Sequence, residues 1–346
     1  MRITKKHFLI ILILFFCLLT LLIYTFRSNS ELKSIKSDNT TKLYNNVYEN
    51  SRDDAASTII NTQALKKYLI PKKLNTGISL DKDLLNLDLT NEFKLSILHN
   101  NKYNLEDRIS LYLGTDKENV GLIYYDLNSD EYINFNEDDI FVAASTYKVS
   151  LNVLTYERAK ENKNLLNTTI KYEDKYYEEG TGVLQNLTDI PNMKIQDLLD
   201  LSIINSDNIA TNMVGSYFGG HAQARKEVWN MFDVPISYSD NVTTPNAEFK
   251  ILKHIYDNKD DINYAHLIKV LQSTDCHSRI DKYLPYDIVA HKVGSSNEYI
   301  HDIGLVLDKN PYILIIYTKD LDNPEEKIAQ ISKAIYEYQI TEKEQT

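Results

Sequence analysis

The chain has 346 residues, a formal net charge of −11 and 43% hydrophobic residues. That length is large for one domain and small for two full-sized ones, and the apolar fraction suffices for a substantial core. The acidic balance argues against a nucleic-acid partner, and the one dense basic cluster, Arg2, Lys5 and Lys6, has another explanation. Eight scattered histidines and two cysteines in unrelated contexts, Cys17 and Cys276, show no C-x-x-C or Cys/His cluster of the kind that binds zinc.

Residues 8–26, FLIILILFFCLLTLLIYTF, carry no charge and nearly match the about 20 residues that span a hydrocarbon core of ~30 Å. The three cations before them predict an N-terminus held inside and the remainder outside. A cleaved signal peptide is the rival, but no A-x-A-like site follows. The expectation is therefore an uncleaved transmembrane anchor on a bacterial cell membrane with an extracytoplasmic domain. Residues 27–90 turn polar and read as a spacer, with a short helix expected around 58–69.

The folded domain is expected over 91–342. Phe93, Leu95 and Leu98, then Leu105, Ile109 and Leu113, recur at helical spacing. Two β-type runs, 120–127 and 131–135, flank Asn128-Ser129-Asp130, a hairpin signal. A helix over 141–159 follows, with Ser145 in its first turn. Patterns at 195–205 and 246–256 are the clearest helices of a long helical stretch. Strand-like runs at 287–293, 303–307 and 312–318 come next, with Asn310-Pro311 at the last turn. A closing helix from Pro324 carries Ile328, Ile331, Ile335 and Tyr338 on one stripe. Two strands, a helical insertion, three strands and flanking helices predict a mixed α/β layer with a helical subdomain, and a site between the two.

Three motifs stand out in this frame. Ser145-x-x-Lys148 places a hydroxyl and an amine one turn apart, the arrangement of a nucleophile with an adjacent base. The pattern also occurs at Ser30 and Ser79, so it needs support from elsewhere. Ser206-Asp207-Asn208 lies between two apolar helical stretches, where a turn and N-cap would also be satisfied; copies at Ser37 and Ser239 lack that context. His291-Lys292-Val293-Gly294 puts a Lys inside an apolar strand, either facing a cleft or protecting a sheet edge. Gly294 would let a ligand backbone come close.

In this order, S-x-x-K, S-D-N and K-x-G resemble the motifs of the penicillin-recognising serine hydrolases, specifically class A β-lactamases. The likeness extends over about 91–338 and includes GTGVLQ from Gly180, TTP from Thr243 and HDIG from His301. It implies an antiparallel sheet flanked by N- and C-terminal helices plus a helical subdomain, and no metal or organic cofactor. It implies Ser145 as the acylated nucleophile, Lys148 as its proton acceptor or electrostatic partner, and Ser206 as proton shuttle to the leaving nitrogen. Asn208, Lys292, Gly294 and Ser295 would bind substrate, and the N–H groups of Ser145 and Ser295 would form the oxyanion hole. The substrates implied are β-lactams or D-Ala-D-Ala-like stem peptides.

Two departures stand against the pattern. Val293 occupies a position that the family usually fills with Thr or Ser, a loss of about 1 kcal/mol of hydrogen bonding if buried; Ser295 or Ser296 could replace it. The loop MFDVPISYSDNVTTP also lacks the Glu that activates the deacylating water, and Asp240 is the only acid near its place. The expectation is acylation with weak deacylation. A non-catalytic wall-binding or β-lactam-sensing module is the alternative, and chance coincidence of the motifs is the third.

Overall fold

A computed structural model of the protein describes residues 69–74, 77–80 and 89–341. Among the described residues no helix is long and apolar enough to cross a membrane. The expected anchor at 8–26 and most of the expected spacer lie outside them. Within that spacer, β1 (Leu69–Leu74) and β2 (Gly77–Leu80) pair antiparallel.

Helices α1 (Asn91–Leu98) and α2 (Leu105–Leu113) begin the domain, each capped by a side chain where the sequence offers one. Thr90 accepts from the Phe93 N–H, and Asn104 from those of Glu106 and Asp107. The hairpin follows as β3 (Val120–Asp126) and β4 (Tyr132–Phe135). Its turn forms because Asp126 Oδ1 takes the N–H groups of Asn128 and Ser129, both at 2.8 Å.

The expected helix over 141–159 divides in three. Strand β5 (Phe141–Val142) comes first, a 3₁₀ turn Ala144–Thr146 second, and α3 (Tyr147–Glu161) last. Ser145 therefore sits in the turn before the helix, because Ala144 adopts φ +50° and breaks the helical path. From Tyr147 to Tyr156 α3 is buried on every side, which makes it the central post of the helical subdomain.

Around it stand β6 (Thr169–Ile170), β7 (Met193–Lys194), α4 (Ile195–Ile204), α5 (Asn208–Tyr217), α6 (His221–Met231), β8 (Val242–Thr243), α7 (Pro245–Asp257) and α8 (Ile262–Leu271). Strands β9 (Val289–Ser296), β10 (Tyr299–Val306) and β11 (Tyr312–Lys319) then complete an antiparallel sheet of order β4-β3-β11-β10-β9. Helix α9 (Pro324–Thr341) closes the chain with Ile328, Ile331, Ile335 and Tyr338 buried, as its stripe predicts.

Alternation along the strands sorts the core into two layers. Leu122, Tyr124, Leu314 and Ile316 pack with α1, α2 and α9, whereas Ile123, Ile313, Ile315 and Tyr317 pack with α3 and the helical subdomain. Both faces are covered, so the central strands read as continuous apolar runs. Strand β9 is the sheet edge, and it lies along the Ala144–Thr146 turn.

Candidate active site

Ser145 is held from two directions. Strand β5 pairs with β8, matching Phe141 to Thr243 and Val142 to Val242. Just before β8, Asn241 accepts the Ala143 N–H at 2.9 Å and donates its Nδ2 to Ala144 O at 3.0 Å. These bonds hold Ala144 in a left-handed conformation that a residue with a Cβ rarely adopts, strain of the sort that collects at functional sites. On the other side Gly294 admits the sheet edge: a Cβ there would lie 2.9 Å from Ala143 O and 3.1 Å from Thr146 Cγ2. The third motif thus needs its glycine for contact with the Ser145 turn.

The second motif is braced by GTGVLQ. Asp207 is fully buried, caps α5 through the Ala210 N–H at 2.9 Å, and takes the Leu184 N–H at 2.8 Å. Thr181 donates its hydroxyl to Ser206 O at 2.7 Å and accepts the Asn208 N–H at 3.1 Å through its carbonyl. Ser206 is itself left-handed, with φ +53°.

The motifs converge on one hydroxyl. Lys148 Nζ donates to Ser206 O at 2.5 Å, Asn208 Oδ1 at 2.8 Å and Ser206 Oγ at 3.2 Å. Lys292 Nζ donates to the same Ser206 Oγ at 3.1 Å and to Val293 O at 3.0 Å. Both lysines are buried. Burial, and for Lys148 the positive charge of Lys292, lowers the Lys148 amine to about 7. Burial lowers Lys292 to about 8 against the opposing pull of Asp302. An amine near neutrality can accept a proton at physiological pH, and Ser206 can pass one between the two nitrogens.

A pocket of about 420 Å³ opens beside this bridge. Of the residues singled out in the sequence, Ser145, Lys148, Asn208 and Ser295 line it, and Ser206 and Gly294 do not. Lys292 is buried behind Ser206 and does not form its wall, so its charge acts through that hydroxyl. Asp240 does not line the pocket either. It is exposed, accepts from Ser239 at 3.0 Å, and its neighbour Asn241 takes the wall position instead.

Several wall residues carried no motif. Tyr147, His221 and Arg225 stand together, His221 edge-on to the Tyr147 ring at 5.6 Å and the Arg225 guanidinium 5.3 Å from it. His221 packs against Gly215, where a Cβ would lie 2.4 Å from its ring; that glycine inside α5 was the one trace in the sequence. Asn212 donates Nδ2 to Tyr176 O and to Glu178 Oε2, so its Oδ1 accepts from His221 Nε2 at 2.8 Å. That assignment makes Nδ1 the acceptor of the Tyr147 hydroxyl at 3.4 Å, and burial together with Arg225 holds the imidazole neutral.

Arg279 is the other unanticipated residue. Nearly buried, it donates Nη1 to Gly294 O at 3.0 Å and His301 O at 2.6 Å, and Nη2 to Ser295 Oγ at 2.6 Å. It thereby orients the hydroxyl two residues beyond Val293.

A serine at a pocket, a low-pKa lysine, a bridging serine and an oriented third-motif hydroxyl are the parts of an acyl-transfer centre. The chain belongs to the β-lactamase enzyme family, whose model matches residues 104–339. With that membership it stands among the serine hydrolases that resemble β-lactamases. Extended-spectrum β-lactamase PER-1 of Pseudomonas aeruginosa is 25% identical over 278 residues, covering 68% of this chain and 87% of that protein. Among solved structures, a variant of PBP-A in its acyl-enzyme complex with penicillin G is similar, with 23% identity and a TM-score of 0.59 over 65% of this chain and 90% of that one. A β-lactamase from Sphaerobacter thermophilus is similar too, with 22% identity and a TM-score of 0.58 over 64% and 91%. These two likenesses carry the fold.

Proposed function

We propose that this protein is a membrane-anchored, extracytoplasmic serine hydrolase that forms an acyl-enzyme at Ser145 with β-lactams or D-Ala-D-Ala-like peptides and deacylates slowly. The observation that carries the reading is the Lys148–Ser206–Lys292 bridge beside the Ser145 pocket. In this mechanism Ser145 Oγ attacks the carbonyl carbon while neutral Lys148 takes its proton. Ser206 relays a proton to the leaving nitrogen, and the substrate carboxylate is met by Ser295, oriented by Arg279 and backed by the charge of Lys292. Slow deacylation is supported by the loop before β8, whose one nearby acid, Asp240, points to solvent. The anchor rests on the uncharged run at 8–26 and the three cations before it.

The test is intact mass after exposure to benzylpenicillin. One added penicilloyl group, persistent over many minutes and lost in Ser145→Ala, is the expected result. Rapid return to the unmodified mass with turnover of a chromogenic cephalosporin would instead mark an efficient β-lactamase. Saturable binding of peptidoglycan fragments with no adduct would mark the non-catalytic alternative.

A further inference from the structure

On the face of β9 opposite Ser206, three donors from distant parts of the sequence meet. Successive strand residues point to opposite sides, so Lys292 faces the helical subdomain and His291 faces away from it. A ring nitrogen of His277, a carboxylate oxygen of Asp281 and a ring nitrogen of His291 all lie within 4.8 Å of one another. Gly304 makes room for them: a Cβ there would lie 2.7 Å from His291 Cβ.

The hydrogen bonding around the cluster is incomplete in one direction. His291 Nδ1 is claimed by Asp302, at 2.9 and 3.0 Å from its two oxygens, and Asp302 is fixed in turn by the Ile280 N–H at 3.0 Å. With Nδ1 as the donor, the other ring nitrogen, Nε2, faces Asp281 and, in the neutral ring, would present its lone pair to it. Nε2 lies 3.4 Å from Asp281 Oδ2 without making a hydrogen bond, and both residues are almost fully buried. Asp281 Oδ1 is also buried without a hydrogen-bond partner among the described residues. His277 touches the other oxygen, Oδ2, and its ring is stacked on Tyr286 at 4.3 Å.

A ring nitrogen and a carboxylate oxygen facing each other need a positive species between them, either a proton that makes His291 cationic, which Asp302 and Asp281 favour against burial, or a metal ion in its place. A tetrahedral ion at 2.0–2.1 Å from each donor would space neighbouring donors about 3.3 Å apart, close to the 3.4 Å between His291 Nε2 and Asp281 Oδ2; the His277–Asp281 contact is shorter, so His277 would draw back as the ion enters. A His that gives its second ring nitrogen to a carboxylate is the usual setting of a metal-bound imidazole.

We propose that His277, Asp281 and His291 form a zinc-type divalent cation site, with Asp302 as the residue that orients His291. Two imidazoles and one carboxylate suit Zn²⁺ better than the hard cations Mg²⁺ or Ca²⁺. His277 is 38% exposed, which supplies an entry path and leaves a fourth position for water. The ion would tie the segment before β9 to the strand that carries Lys292. The site is structural and does not depend on how the Ser145 pocket is read.

The experiment uses the full chain, stripped with a chelator and titrated with Zn²⁺ and, for its visible spectrum, Co²⁺. We expect one equivalent to bind, a Co²⁺ absorption of four-coordinate intensity, and a rise in Tm on adding Zn²⁺. His277→Ala, at a partly exposed position, should fold and still label with fluorescent penicillin, yet bind Zn²⁺ at least 10-fold more weakly and lose the Tm rise. Asp302→Asn should weaken binding 10- to 100-fold. Absence of stoichiometric binding, or binding that His277→Ala leaves unchanged, overturns the site and leaves His291 as a buried cation between two aspartates.

Discussion

Lys148 and Lys292 donate to one oxygen, Ser206 Oγ, at 3.2 and 3.1 Å. Two buried ammonium groups on a single hydroxyl disfavour their joint protonation, and burial acts on each in the same direction. The bridge therefore rests near the pH at which one amine gives up its proton. That is the state the proposed acylation calls for, with Lys148 neutral to take the Ser145 proton and Lys292 charged toward the substrate carboxylate.

The first prediction is a narrow bell in the pH dependence of acylation. Lys148, lowered to about 7, becomes competent as it loses its proton, so the rate rises through that pH. Lys292, at about 8, must stay cationic, so the rate falls above it. The two limbs belong to the pair, because the groups interact. Second-order labelling by a fluorescent penicillin from pH 5.5 to 9.5 measures it, and a flat profile would contradict it. Lys292→Gln should lose the alkaline limb and label about 10- to 100-fold more slowly, the loss of one charge-assisted hydrogen bond.

Removing the shared oxygen is the second. Ser206→Ala leaves Lys148 bonded to the residue's own carbonyl and to Asn208, so folding should survive. Proton transfer to the leaving nitrogen should suffer by about 10²–10⁴ in acylation rate. Stopped-flow labelling reads this directly, and a variant within threefold of the parent would exclude the relay.

How much of this was legible in the sequence follows the range of the forces involved. The second and third motifs, the Asn128-Ser129-Asp130 hairpin and the α9 stripe are local patterns, and each lies in the kind of element its pattern predicts. The position of Ser145 before its helix was not legible, because nothing about alanine announces the left-handed backbone of Ala144; Asn241, nearly a hundred residues on, imposes it. Arg279, His221 and the pairing of His277 with His291 arise where elements distant in sequence meet, and single residues leave no periodic trace. The small residues that admit them, Gly215 and Gly304, become readable only once their neighbours are known.

Gly182 supports a third prediction. Its φ is +116°, and a Cβ there would lie 2.3 Å from the Asp207 carboxyl and 2.5 Å from its Cα. Gly182→Ala must displace Asp207, which caps α5 and anchors the Leu184 N–H. Backbone strain and overpacking together predict a loss of about 2–4 kcal/mol. Acylation should slow in parallel, since Ser206 and Asn208 flank the displaced residue. Urea unfolding and penicillin labelling on one preparation would separate this from a surface loop that tolerates alanine.

The fourth prediction concerns Glu248, fully buried on α7 beneath the Thr243–Pro245 segment. Thr243 Oγ1 donates to Glu248 Oε1 at 2.8 Å, and Oε2 is buried with no hydrogen-bond partner among the described residues. Burial pushes this carboxyl up to about 8, partly opposed by the Thr243 bond, so it is protonated at neutral pH. A folded-state pKa above the unfolded value means that the native chain binds the extra proton. The stability this contributes is complete below about pH 4.5 and drains away as pH rises through about 8. Glu248→Gln carries no titrating proton, so its Tm should fall less than the parent's between pH 5 and 9, with the two curves diverging in the variant's favour at the alkaline end. Because Glu248 lies outside the Ser145 pocket, the labelling rate at pH 7 should stay within about threefold of the parent. Parallel Tm curves across that range would show that the carboxyl ionises in the folded protein without penalty, through a partner other than Thr243.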